Sequence, residues 1–218
     1  MALRSDKKIA CFDGEIGVDL DLSSIESLET GGLFVVRSLK GDTITTIKIA
    51  DLLLKKKATV IVNDYCLANC ANYIFVASQV TFVPKSALVA WRHLGEHGEC
   101  IVISETSEDG APRFDAGACH GGFHDNGRNE NIDQLKRKFY EDRAPFFAMP
   151  PESVAIRKAL KGRLDATGAI PAVYWTWNPR FSGAIRTKVF YEAYPQSQNE
   201  VDALAARIGL RAGVIYDP

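Results

Sequence analysis

The sequence predicts an α/β protein built on a mostly parallel sheet, and three observations carry that prediction. Two β-branched runs, Leu33-Phe-Val-Val-Arg-Ser38 and Ala58-Thr-Val-Ile-Val-Asn63, flank a stretch with helical spacing. That is the strand, crossover helix, strand order of a right-handed parallel pair. The second run then passes through Asp64-Tyr-Cys-Leu-Ala-Asn-Cys-Ala71 straight into apolar helical sequence, which marks a strand-to-helix turn. Finally, 218 residues of 46% apolar content suffice for one substantial core, with no repeat or linker composition, so a single domain spans 1–218.

Each element follows from local pattern. After Leu33–Ser38 comes the turn Leu39-Lys40-Gly41-Asp42. A helix follows from about Thr43 to Lys57, its apolar face at Ile47, Ala50, Leu53 and Leu54. The strand Ala58–Asn63 has the composition of one buried on both faces of a parallel sheet. Because the two strands run parallel, the Lys40-Gly41 turn and the Ala68 turn open on the same edge. Ala87-Leu-Val-Ala-Trp91 is a further strand leading to Arg92-His93, and Ile132 to Phe147 has helical spacing at Ile132, Leu135 and Phe139. Beyond about residue 150 lies a C-terminal extension. In it Pro151–Lys161 reads as helix, Pro171–Trp177 as strand with Tyr174, Trp175 and Trp177 packing on the sheet, and Ser197-x-x-Glu200 as a capping box for a helix ending at Gly209.

The turn at Ala68 carries the functional question. A side chain there projects into the crevice at the strand's carboxyl end, where the free amides of the helix's first turn can stabilise an oxyanion. Alanine offers that crevice no nucleophile, although the position is where a catalytic serine is expected.

Taken together, Gly14-Glu15-Ile16, the Ser38-Leu39-Lys40-Gly41-Asp42 turn, the helix and the second strand resemble the Clp-fold serine peptidases of the ClpP/crotonase superfamily. The resemblance holds best from about Ile9 to Trp91 and thins to about Phe147. It implies a spiral of ββα units with a mostly parallel sheet. In one bacterial branch the strand ends in Cys-x-Ser-x-Cys; the same frame here is Cys66-Leu67-Ala68-Asn69-Cys70, so Ala68 falls on the nucleophile. The resemblance further implies His93 as the base, Asp142 on the Ile132–Phe147 helix as the acid, and an oxyanion hole from the main-chain amides of Gly41 and Asn69. A hydroxyl needs an imidazole to take its proton, and a carboxylate fixes that imidazole's tautomer and stabilises the imidazolium. Lys40 stands in place of the first glycine of the family's pair, and Arg92 directly after the tryptophan shifts the histidine by one residue, which on a strand changes its face.

A second constellation lies in a glycine-rich excursion at about 95–130, where His97-x-x-Cys100 and Cys119-x(4)-His124 form two close pairs with His120 as a spare. The spacing suits a tetrahedral structural zinc site of His97, Cys100, Cys119 and His124. Cys100 and Cys119 also flank the strand-like runs Ile101–Ser104 and Phe114–Cys119, so a disulfide or two free thiols are equally allowed readings. Cys66 and Cys70 stand four residues apart and Cys11 stands alone, which suits a reducing or an oxidising compartment. The compartment is left open between cytoplasm and export.

Charge narrows the partners. With 26 Lys and Arg against 27 Asp and Glu, the net charge is −1, and basic residues are scattered, which argues against nucleic-acid binding. No segment reaches the roughly 18 apolar residues of a membrane span, and the first eight residues lack an apolar leader core. Within these limits the resemblance implies a soluble serine hydrolase, a peptidase acting on peptide or protein, inactive with Ala68 in a place read as a serine-to-alanine change. It requires no cofactor, a structural zinc being one allowed reading of the excursion, and the resemblance implies a homo-oligomer through that excursion, the segment that makes subunit contacts in Clp peptidases. Three other readings stand beside it: Ala68 as a plain small residue at a tight turn, a natural pseudoenzyme that binds peptides or serves assembly, and a crotonase-like acyl-CoA enzyme.

Overall fold

The computed structural model describes residues 1–91, 99–106, 112–118, 131–132, 134–136, 138–139, 141, 174–179, 186–210 and 213–217, and for 99–106 and 112–118 the backbone course. It is an α/β protein with a mostly parallel sheet. Strands β1 (Ala2–Leu3), β2 (Ile9–Asp13), β3 (Leu33–Ser38), β4 (Thr59–Leu67), β5 (Val80–Val83) and β10 (Lys188–Tyr191) lie side by side in the order β1-β2-β3-β4-β5-β10, and β6 (Leu88–Ala90) also pairs with β4. All pairs in it are parallel except β1 with β2.

The short helix α1 (Ser23–Glu26) precedes β3, and the crossover helix α2 (Thr43–Lys55) joins β3 to β4. Asp42 caps it, its carboxylate accepting from the Thr45 amide and hydroxyl, both at 2.8 Å. The helix buries Ile47, Ile49, Ala50 and Leu53 against the sheet face made by Ala10, Phe12, Phe34, Val36, Val60 and Val62.

The opposite face departs from expectation. β4 was expected to be covered on both sides, but from Thr59 to Val62 it alternates between half-buried and buried. Strand registers align Cys11, Val35, Ile61, Phe82 and Phe190 in one row across the partly exposed face. Phe82 and Phe190 are 37% and 45% exposed. A β-branched run satisfies a half-covered strand as well as a buried one, which is why composition could not separate them.

β4 carries the break that shapes the site. Val62 pairs with Val36, yet Cys66 pairs with Ser38, so four residues of β4 answer two of β3. Asp64, in the left-handed region at φ 60°, sits in this bulge. The first half of β4 pairs with β5 through Thr59–Ile61 and the second with β6 through Tyr65–Leu67. The bulge thus lets one strand change neighbours just before the elbow.

The C-terminal segments build a smaller core. β9 (Tyr174–Trp177) and β11 (Val214–Asp217) pair in parallel, and α4 (Gln198–Arg207) packs beside them. Ser197 caps α4 through the Glu200 amide at 3.3 Å, and Gly209 ends it at φ 71°. Val201, Leu204, Ala205, Tyr174, Val214 and Tyr216 cluster with Leu67, Ala68, Leu88 and Ala90. Trp175 is buried against Trp91 and Trp177, so these aromatics pack as expected. β7 (Glu99–Thr106) and β8 (Pro112–Ala118) form an antiparallel hairpin, the strand pair expected within the excursion.

Candidate functional site

The elbow is built from both sides of Ala68. β4 ends at Leu67, and Ala68 enters the left-handed region at φ 49°, a backbone unfavourable for a residue with a Cβ. A turn of π-helix, Cys70–Ile74, follows at once and passes into α3 (Phe75–Ala77). The Ala68 amide donates to the Ala90 carbonyl at 3.0 Å, and the Ala68 carbonyl accepts from the Asn72 amide at 2.8 Å. Both ends of the strained residue are therefore held. Ala68 retains 9% exposure, at the edge of the buried range.

A disulfide brackets the same residue. Cys66 on β4 is bonded to Cys70 on the π turn, their Cα atoms 5.2 Å apart and both residues fully buried. The sequence left these two cysteines open, because a spacing of four suits a helical turn with free thiols equally well. Cys11 is an exposed free thiol.

The Lys40-Gly41 turn faces the elbow by a stepwise constraint. The Ile16 amide donates to the Lys40 carbonyl at 3.2 Å, and the Asp42 amide donates to the Ile16 carbonyl at 2.7 Å. In a planar trans peptide the N–H opposes the C=O. The Gly41 N–H, opposite the Lys40 carbonyl, therefore points away from Ile16, and so does the Gly41 carbonyl. That carbonyl accepts from Asn69 Nδ2 at 2.5 Å, so the Gly41 N–H is turned toward the elbow side. The Asn69 main-chain amide belongs to the first helical turn, where N–H groups have no acceptor within their own helix.

Gly41 is required by contact rather than by φ. A Cβ there would collide with Ile16 Cβ and lie 3.0 Å from the Ile16 carbonyl oxygen. Lys40 points elsewhere, its ammonium 3.2 Å from Glu15 with both side chains well exposed.

Two groupings were not read from sequence. Arg37 bridges the carboxyl ends of three strands, holding Asp13 through Nε at 2.7 Å and Nη2 at 2.5 Å, and Asp64 of the β4 bulge through Nη1 at 3.1 Å. Its hydrogen bonds keep the Asp13 carboxyl below the usual carboxylate range. The second is the buried Tyr194 hydroxyl, which donates to the Val89 carbonyl at 2.7 Å and lies 2.6 Å from Thr176 Oγ1, tying β6 to β9. Burial raises its pKa well above that of a free tyrosine.

Of the expected site residues, the structure brings Gly41, Ala68 and Asn69 together. His93 and Asp142 lie outside the described residues, as do His97, Cys119, His120 and His124. Cys100 is described only as a position in β7, opposite Gly117. Among the described residues no group of three His, Cys, Asp or Glu is arranged to hold a metal, and no helix is long and apolar enough to cross a membrane. The described residues from 131 to 141 are helical. Phe139 is buried edge-on to Tyr73 of the elbow helix at 5.2 Å, whereas Leu135, expected on the same apolar face, is 39% exposed. Comparison with protein-family models and with curated proteins returns no match to this chain.

Proposed function

We propose that the elbow is the nucleophile site of a serine hydrolase of Clp type, acting on peptide or protein, and that Ala68 occupies the place of its serine. The observation that carries this reading is the left-handed backbone of Ala68 between a strand and a helix, beside the Gly41 turn. A strained strand-to-helix turn lifts a nucleophile clear of the sheet, and backbone strain of roughly 1–3 kcal/mol persists where surrounding structure enforces it. The change of partner in β4, from β5 to β6, favours a ββα spiral over a flat doubly wound sheet.

With serine at 68, Oγ attacks the acyl carbonyl as His93 removes the hydroxyl proton. The carbonyl electrons move to oxygen, and the oxyanion takes hydrogen bonds from the Gly41 and Asn69 amides. Collapse expels the amine, which takes the proton back from His93, and water repeats the sequence on the acyl-enzyme. Loss of one such donor costs roughly 3 kcal/mol of transition-state stabilisation. Two contacts support the remaining assignments. Ala90 touches the elbow, and three residues span at most about 10 Å, so His93 is within reach of the site. The helical residues ahead of Asp142 dock on the elbow helix through Phe139 and Tyr73.

Ala68 itself favours one second reading, a pseudoenzyme that binds peptides without cleaving them. Assembly as a homo-oligomer through residues of about 95–131, and a structural zinc at His97, Cys100, Cys119 and His124, belong to the same proposal. The A68S variant tests the hydrolase reading. It should react with a serine-directed fluorophosphonate, and a further His93→Ala should abolish the reaction. A folded A68S protein that does not label contradicts the triad.

A further inference from the structure

The Asn69 side chain does something its place at a helix start does not require. Asparagine there ordinarily turns back to cap its own helix. This one makes no such bond. Its Nδ2 reaches across to another turn, donating to the Gly41 carbonyl at 2.5 Å and to Thr43 Oγ1 at 3.1 Å. An amide NH₂ has two hydrogens, and these two acceptors use both.

Gly41 lacks a Cβ, and its turn is held from the other side by both Ile16 bonds, with the Ser38 hydroxyl also donating to the Lys40 carbonyl at 3.2 Å. Those bonds leave the elbow side of the Gly41 peptide planes to be fixed by a partner there. The Asn69 bond supplies the restraint: the Gly41 carbonyl, which can only accept, requires the nitrogen to face it, and Thr43 Oγ1 accepts the second hydrogen and steadies the amide. The two amides of the oxyanion hole come from segments about 28 residues apart, and this side chain spans the gap between them.

We propose that the Asn69 side chain is a positioning residue that aims the Gly41 amide at the oxyanion. It rests on the hydrolase reading, acts through Gly41, and touches no reacting atom. Its main-chain amide is a separate matter that side-chain substitution leaves in place. Aspartate would keep the size but set a carboxylate oxygen against the Gly41 carbonyl, so it is the stringent replacement.

The test uses A68S as the parent and compares Asn69→Ala, Asn69→Asp and Thr43→Val, reading fluorophosphonate labelling rates and kcat and KM for an activated ester. Removing an oxyanion donor outright costs roughly 100- to 1,000-fold in kcat. Loss of its aim should cost less, about 10- to 100-fold for Asn69→Ala and at least as much for Asn69→Asp, with KM changed less than about twofold. Thr43→Val, which leaves the Asn69–Gly41 bond in place, should lose about 3- to 10-fold and provides the readout if the Asn69 variants do not fold. An Asn69→Ala protein as fast as its parent overturns the proposal, as does a loss confined to KM. A parent that itself fails to label removes the hydrolase reading and the proposal with it.

Discussion

The amide of Ala68 donates to the carbonyl of Ala90 at 3.0 Å, which lays the end of β6 against the elbow. Trp91, the next residue, is fully buried and exchanges both backbone hydrogen bonds with Trp175, at 2.8 and 2.9 Å. The chain that continues to His93 therefore leaves from a fixed point beside residue 68. A C-terminal strand, β9, thus helps to fix that point.

Gly41→Ala should destabilise the fold and disable the site together. The added methyl meets Ile16 main-chain and Cβ atoms that belong to a bridge and have no room to withdraw. Forcing atoms into filled space costs typically 1–3 kcal/mol. A denaturation midpoint equal to that of the unaltered protein would show that the Ile16–Gly41 approach is not as close as described.

The cysteines give a countable prediction. With Cys66 and Cys70 bonded, three of the five cysteines remain available as thiols. Alkylation of the denatured, unreduced protein should modify Cys11, Cys100 and Cys119 if the excursion holds zinc, with about one zinc per chain by elemental analysis of untagged protein. Modification of Cys11 alone, without metal, would identify a Cys100–Cys119 bond and leave the histidines as loop residues. Alkylation of Cys66 or Cys70 would contradict the elbow disulfide. Replacing both by alanine should cost about 2 kcal/mol, the chain-entropy value for so short a loop.

Acid should release the Asp13–Arg37 pair. Asp13 titrates below its ordinary value when folded, so its contribution is fully present above about pH 4 and is lost as pH falls through the lowered value. The stability gap between the unaltered protein and Asp13→Asn, followed by urea denaturation, should narrow as pH falls below about 4. A gap unchanged at pH 2 would place the effect in something other than the ion pair.

Much of the fold was legible where one local signal had one structural meaning. Leu33–Ser38 is β3 as expected, and the helix expected from Thr43 begins there because Asp42 caps it. Ser197 and Gly209 bound α4 for similar reasons. The bulge at Asp64 was not legible, because a strand interrupted by an aspartate reads like a strand that has ended. The open sheet face was not legible either, since Val35 and Ile61 are the same residues whether covered or bare. At the site, Ala68 and Gly41 were found through the flanking pattern, while the Asn69 side-chain bond depends on a turn 28 residues away. The available sign was an asparagine in the otherwise apolar run from Leu67 to Ala77, and Asn69 and Asn72 shared it.

The central claim, that residue 68 is a nucleophile position served by the Gly41 and Asn69 amides, is tested most directly by locating a covalent adduct. A68S should be treated with a fluorophosphonate and the modified residue identified by peptide mass spectrometry. The account predicts a single adduct on the serine at 68, absent from the unaltered protein and lost when His93 is replaced by alanine. A folded A68S protein carrying no adduct at 68, or carrying its adduct on another serine, would contradict it.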